Sequence, residues 1–165
     1  MINFSFNTYL SPLTWRYGSD EMRKIFSEKH KYELWRKIWI ALAEAQHQAG
    51  LVSKEELEDL KNNENNIDIE KIFELEKETK HDVVAAIKEF AEKAKIGGGK
   101  IHLGATSMDI VDNTDMVRIQ EALEIVEKKV IIILNLLADK IDEYADFPCL
   151  GYTHLQPAEP TTVGY

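Results

Sequence analysis

The chain has 165 residues, 44% apolar and 30% charged, with a formal net charge of −9. That is enough for one globular domain or a little more, with an adequate core. The acidic balance argues against non-specific nucleic-acid binding or an anionic membrane surface as the main partner, although a few local cations can still dominate a cleft that takes an anionic substrate.

One cysteine, Cys149, precludes an internal disulfide and points to a reducing compartment. The start, Met1-Ile2-Asn3-Phe4-Ser5-Phe6, has neither a basic n-region nor an apolar h-region. The longest apolar run, Val130 to Leu134, is too short to cross a bilayer. The expectation is a cytoplasmic protein.

Residues 1–19 lack periodicity, and Asn7, Ser11, Pro12 and Gly18 mark turns. Trp15-Arg16-Tyr17-Gly18-Ser19-Asp20 leads into a helix with Ser19 or Asp20 as N-cap. Arg16 beside Tyr17 at a helix start can grip an anion, or can be a surface arginine over a packed tyrosine. Ser27 opens a second helix. Leu34, Trp35, Ile38, Trp39, Leu42, Ala45 and Ala49 share one face of it, and Gly50 stops it.

Ser53-Lys54-Glu55-Glu56 is a capping box that opens a short helix, and Asn62 to Asn66 is a polar break. Residues 68–78 read as helix with Ile69, Ile72, Phe73 and Leu75 inward. Lys80-His81-Asp82 then opens a helix carrying Val83, Val84, Ile87, Phe90, Ala91 and Ala94 at helical spacing. Cations at the positive end of a helix cost a few tenths to about 1 kcal/mol unless an anion is near. That local conflict hints at a site. The alternative is an exposed His81 with Asp82 as N-cap.

Gly97-Gly98-Gly99 reads as a flexible hinge and domain boundary, and no Lys-Ser/Thr follows to make it a phosphate loop. Thr106, Ser107 and Asp109, in the stretch Ile101 to Asp109, can cap a helix or offer hydroxyls and N–H groups to a carboxylate or phosphate. From about Asp112 to Tyr144 a helix runs without Gly or Pro. Its roughly 30 residues would span about 45 Å. Its apolar surface wraps most of the circumference, so it needs partners on several sides.

The final stretch, Gly151 to Thr162, holds His154, Gln156, Pro157 and Pro160. The prolines read against a regular helix or central strand, so the expectation is a stiff loop carrying polar side chains. No strand signal is evident anywhere.

Four of these motifs, in this order, carry a resemblance to a family: Arg16-Tyr17, Lys80-His81-Asp82-Val83, Thr106-Ser107-Met108-Asp109-Ile110-Val111-Asp112-Asn113-Thr114 and Thr153-His154-Leu155-Gln156-Pro157-Ala158. Together they resemble the adenylosuccinate lyase family of the fumarase/aspartase superfamily. Fumarases and aspartases, by contrast, resemble a Ser-Ser-Asn version of the Thr-Ser stretch. The resemblance implies an all-α fold: a helical N-terminal domain over 1–108, then over 109–165 the first long helix of a truncated central bundle.

It implies a β-elimination of fumarate from adenylosuccinate, giving AMP, and from the succinocarboxamide ribotide SAICAR, giving AICAR. No metal or organic cofactor is implied, and the whole enzyme would be a tetramer whose sites draw on three subunits. By motif match His154 would be the general acid and His81 would stand close to the chemistry. Arg16 and Tyr17 would hold the phosphate. Lys80, His81 and Asp82 would line the nucleotide end, Thr106 and Ser107 would hold a succinyl carboxylate, and Gln156 is a weaker substrate contact. The family's base resembles a serine on a mobile downstream loop that these residues do not contain. The chain therefore reads as an N-terminal segment, inactive alone. The alternatives are another lyase of the superfamily, or a non-catalytic helical assembly module built around residues 112–144.

Overall fold

The computed structural model describes Tyr9 and residues 11–165; the turn expected at Asn7 lies outside the described residues. The helices in chain order are α1 (Pro12–Trp15), α2 (Asp20–Ile25), α3 (Glu28–Gln48), α4 (Lys54–Asn62), α5 (Ile69–Thr79), α6 (Asp82–Lys93) and α7 (Ser107–Tyr144). A 3-10 turn, Gly98–Lys100, precedes α7, and strands β1 (Pro148–Thr153) and β2 (Gln156–Thr162) follow it. The fold is all-α with one small hairpin. The chain divides into two compact units, Met1–Glu121 and Ala122–Tyr165.

The helix starts follow capping chemistry. Ser19, Ser27 and Ser53 each accept a backbone N–H of the first turn, from Met22, His30 and Glu56. Glu56 completes the box by accepting the Ser53 N–H at 2.7 Å. Gly50, with φ +77°, follows the end of α3. α1 was not foreseen: four residues are too few to show a period, and it is set locally by Ser11, whose hydroxyl accepts from Leu13 N.

In the first unit the core is Tyr32, Trp35, Trp39 and Ala43 of α3 against Leu57 and Leu60 of α4, Ile72 and Leu75 of α5, and Val83, Ala86 and Phe90 of α6. The expected stripes are corrected at their edges. Ala45, Ala49, Phe73 and Val84 are exposed. The buried face of α3 runs instead through Tyr32 and Arg36.

Arg36 pairs with Glu89 at the centre of this core, with side chains 2% and 0% exposed. Glu89 also accepts the backbone N–H of Asp68, the N-cap of α5, at 3.0 Å. The guanidinium lies 3.5 Å over the Phe90 ring. One carboxylate thus joins α3, the start of α5 and α6. Burial lowers Arg36 to about 10, which leaves it charged at neutral pH. Burial also holds Glu89 above the usual carboxylate value, against the pull of Arg36.

The glycines at 97–99 are not a loose hinge. Asp59 of α4 accepts the N–H groups of Ile96 and Gly97 at 2.7 and 2.9 Å. A Cβ on Gly97 would collide with the Glu56 carbonyl and the Leu60 side chain, and one on Gly98 would meet Ala91 at 2.9 Å. Gly97 and Gly98 permit close packing on α4 and α6, whereas a Cβ on Gly99 would meet nothing.

In the second unit the apolar residues of α7 stand exposed all round: Val130, Ile131, Ile132, Ile133 and Leu134, five in succession, are each about half open. The expected stiff loop is a β-hairpin instead. Pro160 pairs with Leu150 and Pro157 with Tyr152, with an irregularity between Leu150 and Tyr152. A two-stranded sheet has only edge strands, so a proline without an N–H is tolerated. Gly164 N donates to Tyr144 O at 3.0 Å and ties the chain back to the end of α7.

Two stability predictions follow from the buried pair and the α5–α6 turn. Glu89→Ala strands a buried guanidinium and should cost about 3–5 kcal/mol in urea denaturation. Exchanging both partners, Arg36→Met with Glu89→Leu, should cost far less. Lys80 closes α5 at φ +55° and is exposed. Lys80→Gly should therefore raise the unfolding free energy by about 1 kcal/mol, because glycine relieves the left-handed strain.

Candidate functional site

Thr79 to Val83 form a tight connection between α5 and α6. The Thr79 hydroxyl donates to the His81 carbonyl at 3.0 Å and accepts the His81 N–H at 3.4 Å. Lys80 takes the left-handed conformation, and its N–H donates to Glu76 O at 2.8 Å. His81, not Asp82, is the N-cap of α6, and its side chain caps nothing. Its ring is free of that duty and half exposed, with Nδ1 3.3 Å from Asp82 Oδ1. Asp82 uses the same oxygen to accept the Val83 N–H at 2.7 Å. Lys80 and His81 thus stand at the junction that opens α6.

α7 begins at Ser107, five residues earlier than the apolar pattern indicated. Asp109 accepts the Thr106 N–H at 2.8 Å and supplies the carboxylate half of a capping box. Asp109 thus does the capping. Among the described residues the Thr106 and Ser107 hydroxyls take no hydrogen-bond partner, so both remain available.

His102 bears no distinguishing mark in the sequence pattern. The turn it occupies is held by α3: Trp39 Nε1–H donates to His102 Nδ1 at 3.2 Å, and Gln46 donates to the Leu103 carbonyl at 2.6 Å. His102 has φ +65°. Burial pushes its imidazole below the ordinary value; Asp109 opposes this and His81 adds to it. His81, at the start of α6, and Asp109, in the first turn of α7, thus both bear on the His102 imidazole. Thr106, Ser107 and Asp109 stand together at the start of α7. The only sequence signal for His102 was a histidine four residues before the capping threonine. Its partner Trp39 lies 63 positions away.

Arg16 and Tyr17 follow α1, both exposed, with the Arg16 guanidinium 4.8 Å from the centre of the Trp15 ring. No hydrogen bond or ion pair among the described residues joins them to the 80–82 or 106–107 segments. His154 and Gln156 belong to the second unit. His154 and Leu155 are the two turn residues of the hairpin, with φ +50° and +62°. Two successive left-handed residues make the turn that suits a two-residue hairpin. Gln156 pairs with Thr153 at the first rung. The imidazole is thereby carried, exposed, at the tip.

One pattern unites these segments. The non-glycine residues of positive φ among those described are Lys80, His102, His154 and Leu155. Every one falls in or beside a motif picked out for its chemistry. Such conformations cost on the order of 1–3 kcal/mol each and cluster where function requires them. Among the described residues no group of three or more His, Cys, Asp or Glu is arranged to hold a metal ion.

The chain is similar to adenylosuccinate lyases. It is 44% identical to that of Methanocaldococcus jannaschii over 93% of this chain and 34% of the relative. It is 39% identical to that of Saccharomyces cerevisiae over 96% of this chain and 34% of the relative. It thus spans about a third of the length of these curated relatives. Its fold is similar to that of a crystallised fumarate lyase from Mesorhizobium sp. BNC1, with TM-score 0.82 and 24% identity over 90% of this chain and 36% of that one. It is also similar to the 3-carboxy-cis,cis-muconate lactonizing enzyme of Pseudomonas putida, with TM-score 0.77 and 26% identity over 88% and 35%. The family model described as Lyase matches residues 15–165. The match takes in α2 to α7, the hairpin and every strained motif, and the chain belongs to the Lyase family.

Proposed function

We propose that this chain is the N-terminal part of an adenylosuccinate lyase, which eliminates fumarate from adenylosuccinate and from SAICAR. The observation that carries the reading is the pair of helix starts, α6 with the half-exposed His81 ring free of capping duty and α7 with Asp109 doing the capping beside the Thr106 and Ser107 hydroxyls, in a chain of net charge −9. Helix N-termini with added imidazole and hydroxyl donors favour an anionic ligand. The likeness to adenylosuccinate lyases favours a nucleotide of that family's kind.

In this reading a base removes the Cβ proton of the succinyl group, and the electron pair enters the adjacent carboxylate as an aci-carboxylate. That pair then forms the C=C bond of fumarate as the C–N bond breaks. His154 gives its proton to the departing nitrogen, a role suited to an imidazole whose unperturbed pKa of about 6.5 lies close to working pH. Thr106 and Ser107 hold the carboxylate on which charge develops, so their bonds strengthen in the transition state. Lys80, His81 and Asp82 line the nucleotide end, Arg16 and Tyr17 take the phosphate, and Gln156 touches substrate. The base comes from polypeptide outside these 165 residues.

The domain division at 108/109, a cytoplasmic location and a homotetramer belong to the same proposal. The exposed apolar circumference of α7 supports the tetramer. No helix among the described residues is long and apolar enough to cross a membrane.

The test is to incubate the intact protein carrying this chain with adenylosuccinate and follow AMP and fumarate. Turnover is expected from the intact protein and none from the 165 residues alone. His154→Ala should lower kcat by about 10²–10⁴. An intact, folded protein that releases no fumarate would overturn the assignment. Sedimentation equilibrium of the same preparation should give four times the chain mass; a monomer would remove the assembly from the proposal.

A further inference from the structure

We propose that Trp39 is a positioning residue that locks His102 in the tautomer with its proton on Nε2. The argument is one of donor chemistry. An indole N–H only donates, so the His102 Nδ1 that faces it at 3.2 Å must accept and carry no proton. A neutral imidazole then bears its single proton on Nε2 and presents one donor at one defined atom. Protonating Nδ1 would set two N–H groups against each other, so the same contact opposes the cationic form.

The lock is rigid on both sides. Trp39 is buried among aromatic rings, 6.0 Å from the Trp35 centroid and 6.2 Å from that of Phe90, and cannot swing its N–H away. The two rings of the pair meet edge to face, with centroids 6.2 Å apart and planes at 89°. On the other side His102 is fixed by its left-handed backbone and by Gln46, which holds the next carbonyl.

The need for a lock is electrostatic. Asp109 draws His102 toward the imidazolium, whereas His81 and burial oppose it. Without Trp39 those influences would leave tautomer and charge free to vary. With it, His102 stays a neutral donor. This places His102 and its support within the candidate site, and in its catalytic consequence it rests on the proposed lyase reading.

The tautomer can be read directly. Long-range proton–nitrogen NMR of the chain with labelled histidine, His102 being assigned by comparison with His102→Asn, distinguishes the two ring nitrogens. Near pH 7.5 the wild type should show Nε2 protonated and Nδ1 bare, and should titrate below the ordinary midpoint. Trp39→Phe keeps the aromatic packing and deletes the donor. It should give a tautomer mixture and a midpoint higher by about 0.5–1 pH unit, the size of one neutral hydrogen bond.

A wild-type His102 carrying its proton on Nδ1, or a folded Trp39→Phe variant with unchanged tautomer and midpoint, would overturn the lock. The wild-type spectrum decides the matter even if the variant does not fold. In the intact protein Trp39→Phe should lower kcat/KM for adenylosuccinate about tenfold, and unchanged kinetics would refute the positioning role. A wild type without turnover would instead count against the lyase reading, and the NMR result would still judge the lock.

Discussion

The first unit depends on the buried face of α3. Arg36 on that face must be charged, and a charged group in a core is tolerable only with a partner and further hydrogen bonds. Glu89 meets that demand and also takes the Asp68 N–H, so the requirement of one arginine fixes where α5 starts and how α6 lies against α3. The start of α6 carries His81. Three residues on, still on the buried face, Trp39 reaches the turn that carries His102. A single helix therefore sets two of the histidines of the candidate site. It does so through groups that are too far from solvent to contact a ligand themselves.

This division explains what the sequence disclosed. Helix starts were legible because capping is local: a serine and the N–H two or three residues later are decided within one turn, as at Ser19, Ser27 and Ser53. The gap between Trp39 and His102 carries no such local mark, and neither does the pairing of Arg36 with Glu89 across 53 positions. Arg36 was read past because arginine on an amphipathic helix is ordinarily a solvated residue. Gly97 and Gly98 serve close approach rather than freedom, a distinction only the neighbouring Glu56, Leu60 and Ala91 can make. The hairpin was hidden for a different reason. Its strands are exposed on most positions, so no inside-outside alternation is imposed on them, and its prolines sit where a two-stranded sheet asks for no N–H.

The motifs themselves were legible as chemistry before they were legible as geometry. Lys80-His81-Asp82 stood out because cations at a helix start contradict the dipole. The backbone adds a second contradiction at the same place, a lysine in the left-handed region. His154 stood out by its company of prolines and hydroxyls, and its backbone too lies at positive φ. Residues that break side-chain rules and backbone rules together are poorly explained by stability, since each departure lowers it.

Strain of this kind has to be held locally. At Lys80 the restraint is the Thr79 hydroxyl, bonded to the main chain of His81 on both sides. At His102 it is Trp39 and Gln46 of α3. At His154 it is the pairing of β1 with β2 and the return of Gly164 to the end of α7. Each segment thus carries its own means of holding its backbone conformation. The backbone that carries each of these side chains is therefore ordered within its own unit. The conformational entropy of that backbone is met in folding, so a ligand need order only the exposed side chains.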